Sequence, residues 1–128
     1  MSRILIVEDN EKNLKLLRDV LAHQGHEVLA AVTGGEGRDL ALNERPDLVL
    51  LDIQLPDIDG ITVLRCLREE PALDAMPVLA ISASVMPEEQ HRITQSGFDA
   101  FVAKPISLKP FLATVNHFLQ HGRGKGPP

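Results

Sequence analysis

Tryptophan and tyrosine are missing from this 128-residue chain, and four phenylalanines supply its whole 3% of aromatic residues. A cofactor whose ring must be stacked between aromatic side chains finds little to hold it, which opposes a flavin-type binder. An internal disulfide is excluded, because Cys66 is the single cysteine, and its place in a helical pattern suits a small buried thiol. Long apolar runs are lacking as well. The first, Ile4 to Val7, stops at Glu8 and Asp9, too short for a signal-peptide core or a membrane span, which points to the cytoplasm. Basic clusters are also absent, and 13 basic against 18 acidic residues leave a formal net charge of -5. That balance argues against nucleic acid or an anionic membrane surface as the partner. The five histidines, His23, His26, His91, His117 and His121, show no metal-ligand spacing and read as surface residues.

What the chain does have is enough apolar residue, 44%, for one sizeable core. The expected organisation is one domain over residues 1–121, with 122–128 a disordered tail or the start of a linker. Strands are expected at Ile4–Val7, Glu27–Val32, Leu48–Leu51, Val78–Ser82 and Ala100–Ala103. Between them run helical patterns: Glu11–Gln24, Glu36–Asn43, a third holding Val63, Leu64 and Leu67 and ending near Glu70-Pro71, and a fourth from Pro87 to Gly97. A last helix, with Ser107 as its cap, carries Phe111, Leu112, Val115, Phe118 and Leu119. Gly34-Gly35-Glu36-Gly37 lacks the pattern of a phosphate-binding loop and reads as a flexible helix start. Strands alternating with helices imply a parallel sheet between helical layers.

In such a sheet, ligands bind beyond the carboxyl ends of the strands, so the polar residues there matter most. They are Glu8 and Asp9 after the first strand, Asp52 after the third, Ser82 ending the fourth and Lys104 after the fifth. Three carboxylates brought together would repel unless one took a proton or a cation joined them. An all-oxygen donor set suits a hard ion such as Mg2+, or Mn2+ in its place, whereas zinc would favour His or Cys. Asp57 and Asp59 read as turn or helix-cap residues, and Asn10 as a cap rather than a ligand.

The segments Ile-Leu-Ile-Val-Glu-Asp-Asn, Leu-Leu-Asp-Ile-Gln-Leu-Pro-Asp-Ile-Asp-Gly and Ala-Lys-Pro-Ile resemble the motifs of response-regulator receiver domains, the CheY-like family. In detail they are most similar to DivK-like single-domain regulators and to the receivers of hybrid kinases. The resemblance implies a flavodoxin-like fold, a doubly wound five-stranded parallel sheet in the order 2-1-3-4-5 with five helices. It implies Asp52 as the phosphoacceptor of a two-component system or phosphorelay, with Glu8 and Asp9 as the acidic pair. Metal would be held by Asp9, Asp52 and the main-chain carbonyl of Gln54, with Glu8 acting mostly through metal-bound water. Ser82 becomes the hydroxyl that turns to the phosphate, Lys104 the cation beside it, Phe101 the switch aromatic, and Lys104-Pro105 a cis peptide.

The implied donor is a histidine kinase or histidine phosphotransfer protein, and the implied output is an altered contact with a partner protein. That contact would use the fourth helix, fifth strand and fifth helix, where Ile106, Leu108 and Phe111 are expected to leave an apolar patch. The regulator would catalyse only its own phosphorylation and dephosphorylation, with Gln54 and Ser84 tuning the lifetime of the modification. A receiver cut from a hybrid histidine kinase is the alternative if the tail begins a linker. An Asp-nucleophile magnesium phosphatase fits less well, since Asp52-Ile53-Gln54 lacks the Asp-x-Asp spacing.

Overall fold

The computed structural model describes residues 2–83 and 86–123. Among them, five strands alternate with five α-helices: β1 (Arg3–Val7), α1 (Glu11–His23), β2 (Glu27–Ala31), α2 (Gly34–Glu44), β3 (Leu48–Asp52), α3 (Gly60–Arg68), β4 (Val78–Ser82), α4 (Pro87–Gln95), β5 (Ala100–Ala103) and α5 (Leu108–His121). All neighbouring strands are parallel, in the order β2-β1-β3-β4-β5. This is the doubly wound, flavodoxin-like arrangement expected from the motifs. No helix among the described residues is long and apolar enough to cross a membrane.

Strand periodicity explains the two cores. Successive side chains of a strand face opposite sides, and the middle strands are covered on both, so they are apolar throughout. Leu5, Val7, Val49, Leu51, Val78 and Ala80 pack with residues of α2, α3 and α4, among them Ala41, Leu64 and Ile93. Ile4, Ile6, Leu48, Leu50, Leu79 and Ile81 pack on the other side with Leu14, Leu17 and Leu21 of α1 and Phe111, Val115 and Phe118 of α5. Each fully buried side chain of this kind stabilises the fold by roughly 2 kcal/mol relative to exposure.

Several local expectations need correction. Helix α2 begins at Gly34 rather than Glu36, so the glycine stretch expected to open it forms its first turn. Thr33 makes this early start possible: its Oγ1 accepts from Glu36 N at 3.2 Å while Glu36 Oε1 accepts from Val32 N at 3.0 Å. Strand β2 stops at Ala31, leaving Val32 exposed. After α3 ends at Arg68, Pro71–Leu73 forms a short 3-10 turn, with Glu70 Oε1 accepting from Ala72 N. Ser107 sits at the start of α5 without a side-chain capping bond. Phe111 is 2% exposed and belongs to the core, so the expected patch contracts to Leu108 and the half-buried Ile106. Cys66 is half-buried rather than buried. Asn10 caps α1 as expected, accepting from Asn13 N at 3.0 Å.

Candidate functional site

The alternation that builds the core also gathers the polar groups. Glu8 continues the row Ile4-Ile6 beyond β1, Asp52 continues Leu48-Leu50, and Lys104 continues Val102, all on the side of the sheet covered by α1 and α5. The parallel register sets Val7 beside Leu51 and Asp52 beside Ile81, so the strand ends come out level. Loop turns then fix the carboxylates: Asn10 N donates to Glu8 Oε1 at 3.1 Å, and Gln54 N donates to Asp52 Oδ1 at 3.0 Å. Lys104 Nζ reaches across to Asp52 Oδ2 at 2.9 Å and to both oxygens of Glu8, Oε1 at 3.1 Å and Oε2 at 3.0 Å. The peptide bond between Lys104 and Pro105 is cis.

Burial sharpens the electrostatics. Glu8 is 0% and Asp52 3% exposed, while Asp9 lies open to solvent. Burial, aided by the negative charge of Asp52, pushes the Glu8 carboxyl above the usual carboxylate range, against the pull of Lys104 and the Asn10 amide. Burial draws Lys104 down, but its bonds to Asp52 and Glu8 outweigh that and hold it above the ordinary lysine value. Glu8, Asp9 and Asp52 present oxygens that all lie within 4.8 Å of one another. Against these three carboxylates the Lys104 ammonium is the cation in ion-pair contact among the described residues, and Glu8 Oε2, 3.0 Å from it, has no hydrogen bond of good geometry there. A buried carboxylate oxygen short of a hydrogen bond, in an all-oxygen cluster whose three carboxylates outnumber the one ammonium paired with them, fits a hard divalent cation. The cluster opens into a cleft of about 790 Å³ whose rim adds the helix cap Asn10 with Glu11, Lys12, Leu55 and Pro56, to which the sequence reading gave no part in the site.

Residues 4–116 match the family model described as the response regulator receiver domain. The chain belongs to that family. It is 42% identical over 116 residues to the polar-differentiation response regulator DivK of Brucella anthropi, covering 91% of this chain and 94% of that one. Among solved structures, a response regulator from Chloroflexus aurantiacus superposes with a TM-score of 0.89 at 28% identity, covering 94% of this chain and 98% of the other. The receiver domain of the sensor histidine kinase PA1611 from Pseudomonas aeruginosa, solved with a magnesium ion coordinated in its active site cleft, gives 0.86 at 25% identity over 93% and 98%. Receiver domains are signalling modules of two-component systems, which exchange contacts with histidine kinases, phosphotransfer proteins and downstream effectors.

Not every expected residue joins the acidic cleft of this receiver domain. Ser82 continues the row Val78-Ala80 on the opposite side of the sheet and lines a neighbouring cleft of about 540 Å³ with Gln54, Met86 and Arg92. Gln54 borders both clefts, so the loop after β3 is the partition between them. Phe101 is half-buried against the α2–α4 core and faces a smaller hollow it shares with Pro105, Pro110 and Phe111. Ser84 lies outside the described residues. Past α5, Arg123 donates to Asp99 Oδ1 at 3.0 Å and to the Asp74 carbonyl at 2.8 Å, while residues 124–128 lie outside the described residues.

Proposed function

We propose that this receiver domain accepts a phosphoryl group on Asp52 from a phosphohistidine of a histidine kinase or histidine phosphotransfer protein. The observation that carries the reading is the bridge of Lys104 between Asp52 and Glu8, at 2.9 and 3.0 Å. An ammonium held against the nucleophilic carboxylate stands where the negative charge of an incoming phosphoryl group must be met. A carboxylate oxygen of Asp52 attacks phosphorus, the phosphorus–nitrogen bond of the donor breaks with its electron pair returning to the imidazole, and an aspartyl phosphate results. Asp9, Asp52 and the Gln54 carbonyl would hold Mg2+ or Mn2+, with Glu8 acting through water, and the ion would supply positive charge against the phosphoryl oxygens.

Output follows from differential contacts. The Ser82 hydroxyl turns through the partition toward the phosphate, Phe101 repacks inward, and the α4-β5-α5 face changes for a partner protein. The domain, residues 1–121, acts in the cytoplasm and modifies only itself. Incubation with Mg2+ and acetyl phosphate, followed by weighing the intact protein, tests the central step. One added phosphoryl group is expected, and none in Asp52→Asn; no gain with several donors, or an undiminished gain in the variant, overturns the reading.

A further inference from the structure

Asp59 caps the helix it precedes, accepting from Ile61 N at 2.6 Å, but Asp57 caps a different helix. Its Oδ1 accepts from Gly34 N at 2.8 Å and its Oδ2 from Gly35 N at 2.9 Å, both at the start of α2 and more than twenty residues upstream. These bonds hold the Asp57 carboxyl below the usual range. The third amide of that turn already has a local partner in Thr33. Asp57 therefore completes the helix start from outside, using both oxygens, beside the positive end of the helix dipole.

The double glycine makes the contact possible. A Cβ at Gly34 would stand 2.5 Å from Ile58 Cγ1, and one at Gly35 would stand 3.3 Å from Asp57 Oδ2. Bare backbone at both positions lets residues 57 and 58 lie directly on the first turn. The loop so held is the one that carries Gln54. At its beginning Gln54 N is bonded to Asp52 Oδ1, and at its end Gly60 N is bonded to Ile53 O at 2.9 Å. Between those points Leu55 and Ile58 pack against the core, and the hydrogen bonds to another element among the described residues are those of Asp57.

We propose that Asp57 is a positioning residue for the ion and phosphoryl site: by gripping the Gly34 and Gly35 amides it preorganises the loop whose Gln54 carbonyl meets the ion. This rests on the ligand set proposed above. It also makes the start of α2 part of the site's support, since a shift of the loop must either carry α2 along or break the grip. A group that orients a metal ligand typically governs about tenfold or more of the affinity, and Asp57→Ala is expected to weaken Mg2+ binding by about that factor.

The test is a calorimetric Mg2+ titration of the full chain and three variants, each checked for folding by circular dichroism. Thr33→Ala removes a bond from the same helix start but leaves the loop anchored, so it is expected to lower thermal stability and keep the parent Mg2+ affinity. Asp57→Asn retains one acceptor oxygen and is expected to fall between the parent and Asp57→Ala. Amide resonances of Gly34 and Gly35 are expected to shift as Mg2+ is added to the parent protein. Parent-like Mg2+ affinity in a folded Asp57→Ala or Asp57→Asn, or equal weakening by Thr33→Ala, overturns the positioning role while leaving the ligand set standing. Absence of Mg2+ binding in the parent overturns both.

Discussion

Glu8 is where burial and charge pull hardest against each other. Its carboxyl is wholly buried beside Asp52, with one ammonium to share between them. Its pKa is raised, by burial first and by the Asp52 charge second. A group whose folded pKa lies above its unfolded value contributes stability fully below the unfolded pKa, and that contribution is lost as the pH rises through the folded one. In a chelator, Glu8→Gln is therefore expected to melt above the parent protein at neutral pH, with the gap closing as the pH falls through the raised Glu8 pKa. Saturating Mg2+ is expected to reverse the order, because glutamine supplies no charge to the ion. Circular-dichroism melts from mildly acidic to neutral pH check this, and a parent that melts higher in chelator at neutral pH contradicts it. Lys104 has the other window. Its raised pKa keeps its contribution intact through the neutral range, and loss comes only as the pH climbs through that value.

At the scale of elements, the site depends on how α3 leaves β3. A Cβ on Gly60 would strike the Asp52 carbonyl oxygen and come within 2.9 Å of Ile53 Cα, both backbone atoms that no rotamer change can move. Gly60→Ala is expected to cost about 2 kcal/mol, the usual range for a forced backbone shift. The urea midpoint should fall with an unchanged slope, and the phosphorylation rate should fall too, since Asp52 ends the displaced strand. An unmoved midpoint contradicts the close-packed start of α3. The elements themselves were largely legible in the chain, because β1, β3 and β4 are covered on both faces and so read as unbroken apolar runs. Glu8, Asp52 and Lys104 were legible as strand-end groups for the same reason. The early start of α2 was not, because its glycines hide the pattern and its caps include a carboxylate from another loop. The placement of Ser82 in a separate cleft follows from counting alternation along β4, a step that the motif resemblance bypasses.

Across the whole molecule, the two ends of the sheet are stabilised differently. At the amino end of β4 and β5, Asp99 accepts from Val78 N at 2.8 Å, Arg68 Nη2 at 3.0 Å and Arg123 Nε at 3.0 Å. That carboxylate is matched by the protein's own cations. At the carboxyl end the Glu8, Asp9 and Asp52 carboxylates meet the Lys104 ammonium alone in ion-pair contact among the described residues, which leaves a surplus that the proposed ion would offset. Global stability should therefore follow divalent cation through this end, where two of the three carboxylates are buried, whereas the carboxylates around Arg3 at the amino end are exposed. An ion that binds only the folded state stabilises it by about 1.4 kcal/mol for each tenfold rise in free concentration above its dissociation constant. For a domain of this size that is roughly 5 °C in Tm per decade of Mg2+. Asp9→Ala separates ion binding from packing, because Asp9 is exposed and outside both cores. In chelator the variant is expected to melt no lower than the parent, since it relieves repulsion and removes no buried contact. With Mg2+ its Tm should rise far less steeply. If the slope persists undiminished in Asp9→Ala, the ion is stabilising the fold from somewhere other than the strand ends, and the donor set assigned to Asp9, Asp52 and Gln54 is wrong.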